Sequence, residues 1–226
     1  MSASRPAADG APPRRADQRL PSGRHGLSRA DVASSQRARI VLALFDAVAE
    51  KGYPATTIGD VVDRAEVSRR TFYEHFTSKE ACFLAAFDEA VADVGVQLAA
   101  VLDPLPKDDW RTRIRQSWRA FLTALAASPT ITWSLYVETF SAGPALIERT
   151  SAVNAGFAEV FRKLHRLARK QEPAVTELAP EVFDLYIGGT AERIRHCLRT
   201  DGAAALPALE DLFVDTLLAL FGTPSA

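Results

Sequence analysis

A chain of 226 residues and 24.6 kDa, 47% hydrophobic and 24% charged, is long enough for a small unit joined to a larger one, and its composition excludes wholesale disorder. The net charge of −1 hides an asymmetry: residues 1–79 hold 13 Lys and Arg against 9 Asp and Glu, whereas the remainder holds 14 against 19, so the basic end is where a polyanion would bind. The start lacks the apolar stretch of a secretory signal and no later run approaches ~18 uncharged apolar residues, so a cytoplasmic protein without membrane contact is expected.

The first 28 residues contain Pro6, Pro12, Pro13, Pro21, Gly10, Gly23 and Gly26, with Leu20 and Leu27 almost alone as large apolar residues. They read as a disordered basic arm, placed over residues 1–33 as a domain. Its arginines, Arg5, Arg14, Arg15, Arg19 and Arg24, either enter a DNA minor groove or keep the tail solvated.

From Ala33 onward apolar residues recur at helical spacing, and no alternating run of strand length appears. The chain is therefore expected to be all-α, with about nine helices broken at Gly52-Tyr53-Pro54, Pro104-Leu105-Pro106, Ser128-Pro129, Gly143-Pro144, Glu172-Pro173, Gly202 and Pro207. No internal repeat is visible, which argues against a solenoid.

In the first helix Ile40, Val41, Leu44, Phe45 and Val48 share a face, and Gly52 suits the left-handed position after its end. A second, short helix opens at Thr57, whose hydroxyl can cap it beside Asp60, and Ile58, Val61, Val62 and Ala65 form its apolar stripe. After a turn at Glu66-Val67, Ser68 can cap a third helix whose Phe72 and Phe76 point into the core, leaving Arg70, Thr71, Tyr73 and Glu74 outward. Thr77-Ser78-Lys79-Glu80 reads as a capping box opening a fourth helix that runs to about Leu102, with Thr77 as the cap.

Two short helices joined by a tight turn, the second displaying cationic and hydroxylic side chains, form a helix-turn-helix pattern over residues 34–80. Arg70 has the fork geometry to read a guanine edge, and Thr71 can meet a thymine methyl. Thr57, Tyr73, His75 and Lys79 have phosphate-contact chemistry, and Thr57 and Lys79 sit at helix N-termini where anions are favoured.

The residues Arg39-Ile40, Phe45, Glu50-Lys51-Gly52-Tyr53, Thr56-Thr57-Ile58, Asp60-Val61, Val67-Ser68, Thr71-Phe72-Tyr73, His75-Phe76 and Lys79-Glu80, in that order, resemble the DNA-binding domain of TetR-family regulators over roughly residues 34–87. The resemblance implies that Thr57, Tyr73, His75 and Lys79 touch the phosphate backbone, and that Arg69 and Arg70, before the matched threonine, read bases. Ser68 completes the DNA-facing set. One departure is Glu66, where the family usually has glycine: either the turn is slightly strained or it takes other dihedrals, since a non-glycine residue at positive φ costs about 1 kcal/mol or a little more.

The same resemblance implies that residues 81–226 form a larger helical domain that binds a small-molecule effector and dimerises. The fourth helix is the natural lever between the two units. Aromatic residues are abundant beyond it, and an apolar pocket is expected among Phe87, Trp118, Phe121, Trp133, Tyr136, Phe140, Phe157 and Tyr186, with Glu138 or Glu192 as polar groups. The last two helices, about Glu181–Arg199 and Pro207–Phe221, carry Phe183, Tyr186, Ile187, Ile194, Leu209, Leu212, Phe213, Leu217 and Leu220, and Gly188-Gly189 permits close approach. In the family the equivalent pair builds a four-helix bundle with a second subunit, and a two-fold homodimer would match a palindromic operator on double-stranded DNA.

The expected function is a transcriptional regulator, a repressor released from its operator by a mainly apolar ligand. Two rivals stand beside it. One is a helix-turn-helix protein that binds DNA without any ligand; the other is a helical metalloenzyme using Glu192 and His196, four residues apart. Against catalysis, the Glu-x-x-His spacing of di-iron bundles, G-x-S-x-G, Walker and dinucleotide patterns are all absent. No cofactor or metal is expected, and Cys82 and Cys197 lack C-x-x-C spacing and read as small buried residues.

Overall fold

The computed structural model describes residues 29–222, and the arm's five arginines lie outside the described residues. Nine α-helices follow one another among the described residues: α1 Arg29–Lys51, α2 Ile58–Ala65, α3 Arg69–His75, α4 Lys79–Leu102, α5 Trp110–Ala127, α6 Pro129–Trp133, α7 Pro144–Gln171, α8 Pro180–Thr200 and α9 Glu210–Leu220. Residues 29–33, grouped with the arm by composition, are the first turns of α1. At the other end Pro207 lies inside a 3-10 segment, Ala203–Leu209, so α9 starts three residues later than its proline suggested.

The local signals act much as their chemistry dictates. Gly52 takes φ 81° and its N–H bonds Val48 O at 2.8 Å, closing α1. Thr57 and Asp60 form a reciprocal capping box at α2: Asp60 N–H reaches Thr57 Oγ1 at 3.1 Å and Thr57 N–H reaches Asp60 Oδ2 at 2.8 Å. Ser68 caps α3 by accepting from Thr71 N–H at 3.0 Å.

The fourth helix corrects one register. Its cap is Ser78, which accepts from Ala81 N–H at 3.0 Å, and Thr77 is left exposed outside the helix. Adjacent Thr and Ser are both competent caps; choosing the second places Glu80 one position too early to close a box, and makes Lys79 the first helical residue.

Glu66 decides between the alternatives left open for the turn. It sits at φ 53°, ψ 47°, the left-handed region, and is the single non-glycine residue with positive φ among those described. Glu66 N–H bonds Asp63 O and Val67 N–H bonds Val62 O, the Schellman pattern, so the backbone gains its terminal hydrogen bonds while bearing about 1 kcal/mol of left-handed cost.

Two apolar cores result. The first gathers Leu44, Phe45, Val61, Phe72 and Phe76 with Cys82, Phe83 and Phe87 of α4, and extends to Ala142 and Leu146 at the start of α7. The second is built from α5, α7, α8 and α9 around Trp110, Trp118, Phe161, Phe183 and Phe213. Both cysteines are buried in these cores, and burial pushes the Cys82 thiol up to about 12, which leaves it unreactive at neutral pH.

Between α5 and the segment Pro129–Ser141 the chain turns by 103°. That segment is irregular: α6 gives way to a π-helical turn, Ser134–Glu138, and a 3-10 turn, Thr139–Ser141. Side chains two apart on this stretch point to opposite sides and so face different units. Among the described residues no single helix is long and apolar enough to cross a membrane.

Candidate nucleic-acid interface and ligand cavity

Capped at Ser68 and held from behind by buried Phe72, α3 turns its other side to solvent. Arg69 and Arg70 are exposed, and Tyr73 is 55% exposed with its ring edge-on to Phe72. Arg70 pairs along the helix with Glu74, Nε to Oε1 3.1 Å, while its side chain stays 90% accessible. An exposed pair of this kind contributes about 0.3–0.5 kcal/mol and gives way readily to a base edge. Thr71 and His75 are half-buried at the flanks, with the Thr71 hydroxyl 2.9 Å from Ser68 Oγ.

Two residues behave differently from bare phosphate contacts. The Thr57 hydroxyl is committed to the cap, since it accepts from Asp60 N–H and also donates to Asp60 Oδ2 at 2.8 Å. Hydrogen bonds from Lys51 and Thr57 hold the Asp60 carboxyl well below the usual carboxylate range, so a negative charge already stands there at neutral pH. Lys79 folds back onto the α1–α2 turn. Its ammonium donates to the carbonyls of Tyr53 at 2.7 Å and Thr56 at 2.8 Å and lies 4.0 Å from the centre of the Tyr53 ring. Burial lowers its pKa, and of three N–H donors one is left for a phosphate.

Two other basic residues of the N-terminal unit are also structural. Arg39 donates to Ala65 O at 3.0 Å, satisfying the end of α2, and Arg37 pairs with Glu89 of α4 and lies over Phe76.

Tyr53 is gripped from its other side as well. Its buried N–H donates to Glu138 Oε2 at 2.9 Å, and Trp133 Nε1 donates to the second oxygen at 3.4 Å. Glu138 comes from the π-helical turn, so a carboxylate of the second unit holds the peptide that precedes α2. Ser134, on the same turn, donates to Thr130 O at 2.9 Å, with Phe45 O of α1 at 3.4 Å as a second, longer contact.

The second unit carries two abutting, partly open cavities beside α4. One, of about 310 Å³, lies between Gly95, Leu98 and Leu102 of α4 and Trp118, Phe161 and Ile194. The other, of about 230 Å³, lies nearer the DNA-binding unit, among Phe87, Val91, Phe140, Thr150, Ser151 and Arg195. Phe121, Tyr136, Asn154, Phe157 and Ala191 line both, forming their common wall.

Residues 40–86 match the family model for bacterial regulatory proteins of the tetR family. A putative mycofactocin biosynthesis transcriptional regulator of Mycobacterium tuberculosis is 27% identical over 169 residues, covering 73% of this chain and 81% of that protein. In overall fold the chain resembles the fatty acid degradation regulator FadR of Bacillus halodurans, with a TM-score of 0.73 at 18% identity over 81% of this chain and 94% of that one. It also resembles FadR of Bacillus subtilis, solved in complex with stearoyl-CoA, with a TM-score of 0.71 at 16% identity over 81% and 98% of the two chains. Residues 40–86 are therefore a DNA-binding domain of the tetR type, and the whole chain has the fold of TetR-type transcriptional regulators.

Within the second unit the cavities sort the aromatic residues singled out by sequence. Trp118, Phe121, Tyr136 and Phe157 line the larger chamber, and Phe87, Phe121, Tyr136, Phe140 and Phe157 the smaller. Trp133 and Tyr186 line neither: Trp133 is buried against Glu138, and the Tyr186 hydroxyl donates to Phe213 O at 2.7 Å within the core. The expected polar groups also differ. Glu138 faces the α1–α2 turn, and Glu192 is on the surface, paired with Arg195 and Arg199. The polar residues that do line the chambers include Asn154, Thr150, Ser151 and Arg195. Nothing in their spacing distinguishes them from an ordinary helix surface.

The apolar residues of the last two helices need a similar correction. Phe183, Tyr186, Ile187, Ile194, Leu209, Phe213 and Leu217 are buried within this one chain. Left exposed are Leu185 at 78%, Leu212 at 50%, and the Gly188-Gly189 pair, a smaller and flatter surface than the sequence suggested.

Proposed function

We propose that this regulator is a homodimeric repressor that leaves a palindromic operator when an apolar, acyl-type ligand fills the cavities beside α4. The observation that carries the reading is the dual role of α4: Cys82, Phe83 and Phe87 belong to the DNA-binding core, while Phe87 through Leu102 form one wall of both chambers. A ligand that displaces this wall moves the helix-turn-helix with it, and in a dimer the spacing of two recognition helices sets operator affinity. The binding of stearoyl-CoA by the Bacillus subtilis FadR, a protein of the same fold, supports an effector with a long apolar portion.

On the DNA, Arg70 and Arg69 read base edges, Thr71 contributes a methyl contact, and Tyr73, Ser68 and His75 position the helix on the backbone. Lys79 holds the α1–α2 turn and offers its remaining N–H to a phosphate; Thr57 serves chiefly as the cap. Selecting binding sites from a random DNA pool with the full chain should enrich an inverted repeat with half-sites about 10 base pairs apart. Arg70→Ala should then relax preference at one position of each half-site, costing about 1–3 kcal/mol on the selected operator. A pool that enriches no sequence would overturn the reading, and unchanged discrimination by Arg70→Ala would move base reading to Arg69 or Thr71.

The dimer forms through the exposed side of α8 and α9, where Leu185 and Leu212 are the large apolar residues and the Gly188-Gly189 pair lets a second helix approach closely. Sedimentation of the wild-type chain should give twice the chain mass, and Leu185→Glu should give the monomer. A monomeric wild type with DNA binding intact would remove the dimer from the mechanism.

A further inference from the structure

The two chambers differ in what they offer a ligand. In both the serine and threonine hydroxyls of the lining are spent on the backbone, Ser117 donating to Arg113 O at 2.7 Å and Thr190 to Ile187 O at 2.9 Å in the larger, Thr150 to Leu146 O at 2.8 Å and Ser151 to Ile147 O at 3.0 Å in the smaller; the difference is charge, and no charged residue lines the larger one. Apart from the Trp118 indole N–H, it is a slot for hydrocarbon. In the smaller one Arg195 is the single charged lining residue. Arg195 donates through Nε to the Tyr136 carbonyl at 2.9 Å, pairs on its outer side with exposed Glu192, and has N–H groups left over among the described contacts.

On the shared wall stand the Tyr136 hydroxyl and the Asn154 carboxamide, and among the described residues neither side chain has a hydrogen-bond partner. Burial raises the Tyr136 pKa, so the phenol stays protonated and keeps its donor. A wall that carries unspent donors between hydrocarbon on one side and a guanidinium on the other is arranged for the junction of an amphipathic molecule.

Length points the same way. From Phe87 to Leu102 the α4 wall of the two chambers runs roughly 22 Å at 1.5 Å per residue. Midway lies Gly95, where an added Cβ would meet nothing within 4 Å. Gly95 is exposed and lines the larger chamber at its open side, so a bulky side chain there has room to enter the chamber without displacing a neighbour.

We infer that the effector is a long-chain acyl compound, its hydrocarbon tail in the chamber beside Gly95 and Leu102 and its oxygen-bearing end at Tyr136, Asn154 and Arg195. This rests on the reading of the cavities as the site of an acyl-type effector, and it adds the ligand's direction in the site and the residues that select it. A free fatty acid would place its carboxylate at this station; an acyl thioester would place its carbonyl there and send its larger head past Ser151 toward solvent, since Ser151 and Phe140 are exposed.

Titration calorimetry on the full chain tests this with palmitate, palmitoyl-CoA, 1-hexadecanol and octanoate as probes. Palmitate or palmitoyl-CoA should bind at least about tenfold more tightly than 1-hexadecanol, and which of the two is tighter tells acid from thioester. Tyr136→Phe and Asn154→Leu should each weaken that probe about 3- to 10-fold, the size of one hydrogen bond. Gly95→Leu should weaken the sixteen-carbon probe more than tenfold and leave octanoate unchanged, with an undiminished melting temperature as the check on folding. Equal affinity for 1-hexadecanol, or full palmitate binding by Gly95→Leu, would overturn the inference. So would a failure of both acyl probes; if the unliganded chain still selects an operator and a different apolar compound releases it, the regulator reading survives without this ligand. If no operator is selected, it is that reading that fails.

Discussion

Replacing Glu138 by alanine should lower stability by about 2–4 kcal/mol and weaken operator binding at the same time, although Glu138 lies far in sequence from the helix-turn-helix. The buried N–H of Tyr53 would lose its acceptor at 2.9 Å, and the indole N–H of Trp133 would lose its own at 3.4 Å. An unsatisfied buried donor costs about 1–3 kcal/mol, more than the net worth of the bond, because the donor cannot regain water. Glu138→Gln is the informative partner. Its amide oxygen can still accept from Tyr53, but its NH2 must then face the Trp133 donor, so a loss of only about 1 kcal/mol is expected. Denaturant unfolding with operator titration checks both. Should the alanine variant prove as stable as the glutamine one, the hydrogen bond would not be what ties the second unit to the α1–α2 turn.

Because Tyr136 lines the chambers while Glu138, two residues on, holds Tyr53, the irregular segment Ser134–Ser141 joins the cavity to the turn that precedes α2. The glutamine variant should therefore retain ligand affinity while its operator affinity responds less to ligand.

Lys79→Ala should destabilise the chain by about 2–4 kcal/mol, with binding to every DNA sequence reduced alike. Its ammonium is bonded to two carbonyls and lies over the Tyr53 ring, and charge-assisted hydrogen bonds contribute about 1.5–3 kcal/mol with the cation–π contact adding about 0.5–1. A lysine serving only as a phosphate contact behaves otherwise: its loss leaves stability unchanged and lowers the salt slope of DNA binding by about 1 per subunit. Urea unfolding without DNA separates the two roles. Unaltered stability would return Lys79 to the phosphate backbone, whereas lost stability with a smaller change of slope supports the anchoring role.

The helical class, the order of the helices and the helix-turn-helix were legible in the sequence because their causes are local. The Thr57–Asp60 box, the Ser68 cap, Gly52 at φ 81° and the Phe72–Phe76 pair each act within one or two turns of chain, so residue type and spacing suffice. Glu66 shows the boundary of that reading. Sequence marked the departure from glycine, and only the Schellman bonds to Val62 and Asp63 decided that the backbone accepts the left-handed strain.

The second unit was legible as an aromatic-rich helical bundle but not as a cavity. Phe121 and Trp133 are both buried aromatics, yet one lines a chamber and the other packs on Glu138, because helical period gives a residue's face while the rotation of its helix against neighbours gives its partner. In Ser134–Glu138 two residues placed two apart face opposite sides of the chain, Tyr136 the ligand chambers and Glu138 the α1–α2 turn, and which side meets which unit is set by the 103° bend before this segment. Lys79 makes the same point for charge. The sequence determined that a cation stands at the N-terminus of α4, and the tertiary structure alone decided that it turns inward, because the carbonyls of Tyr53 and Thr56 in the α1–α2 turn lie within reach of its ammonium.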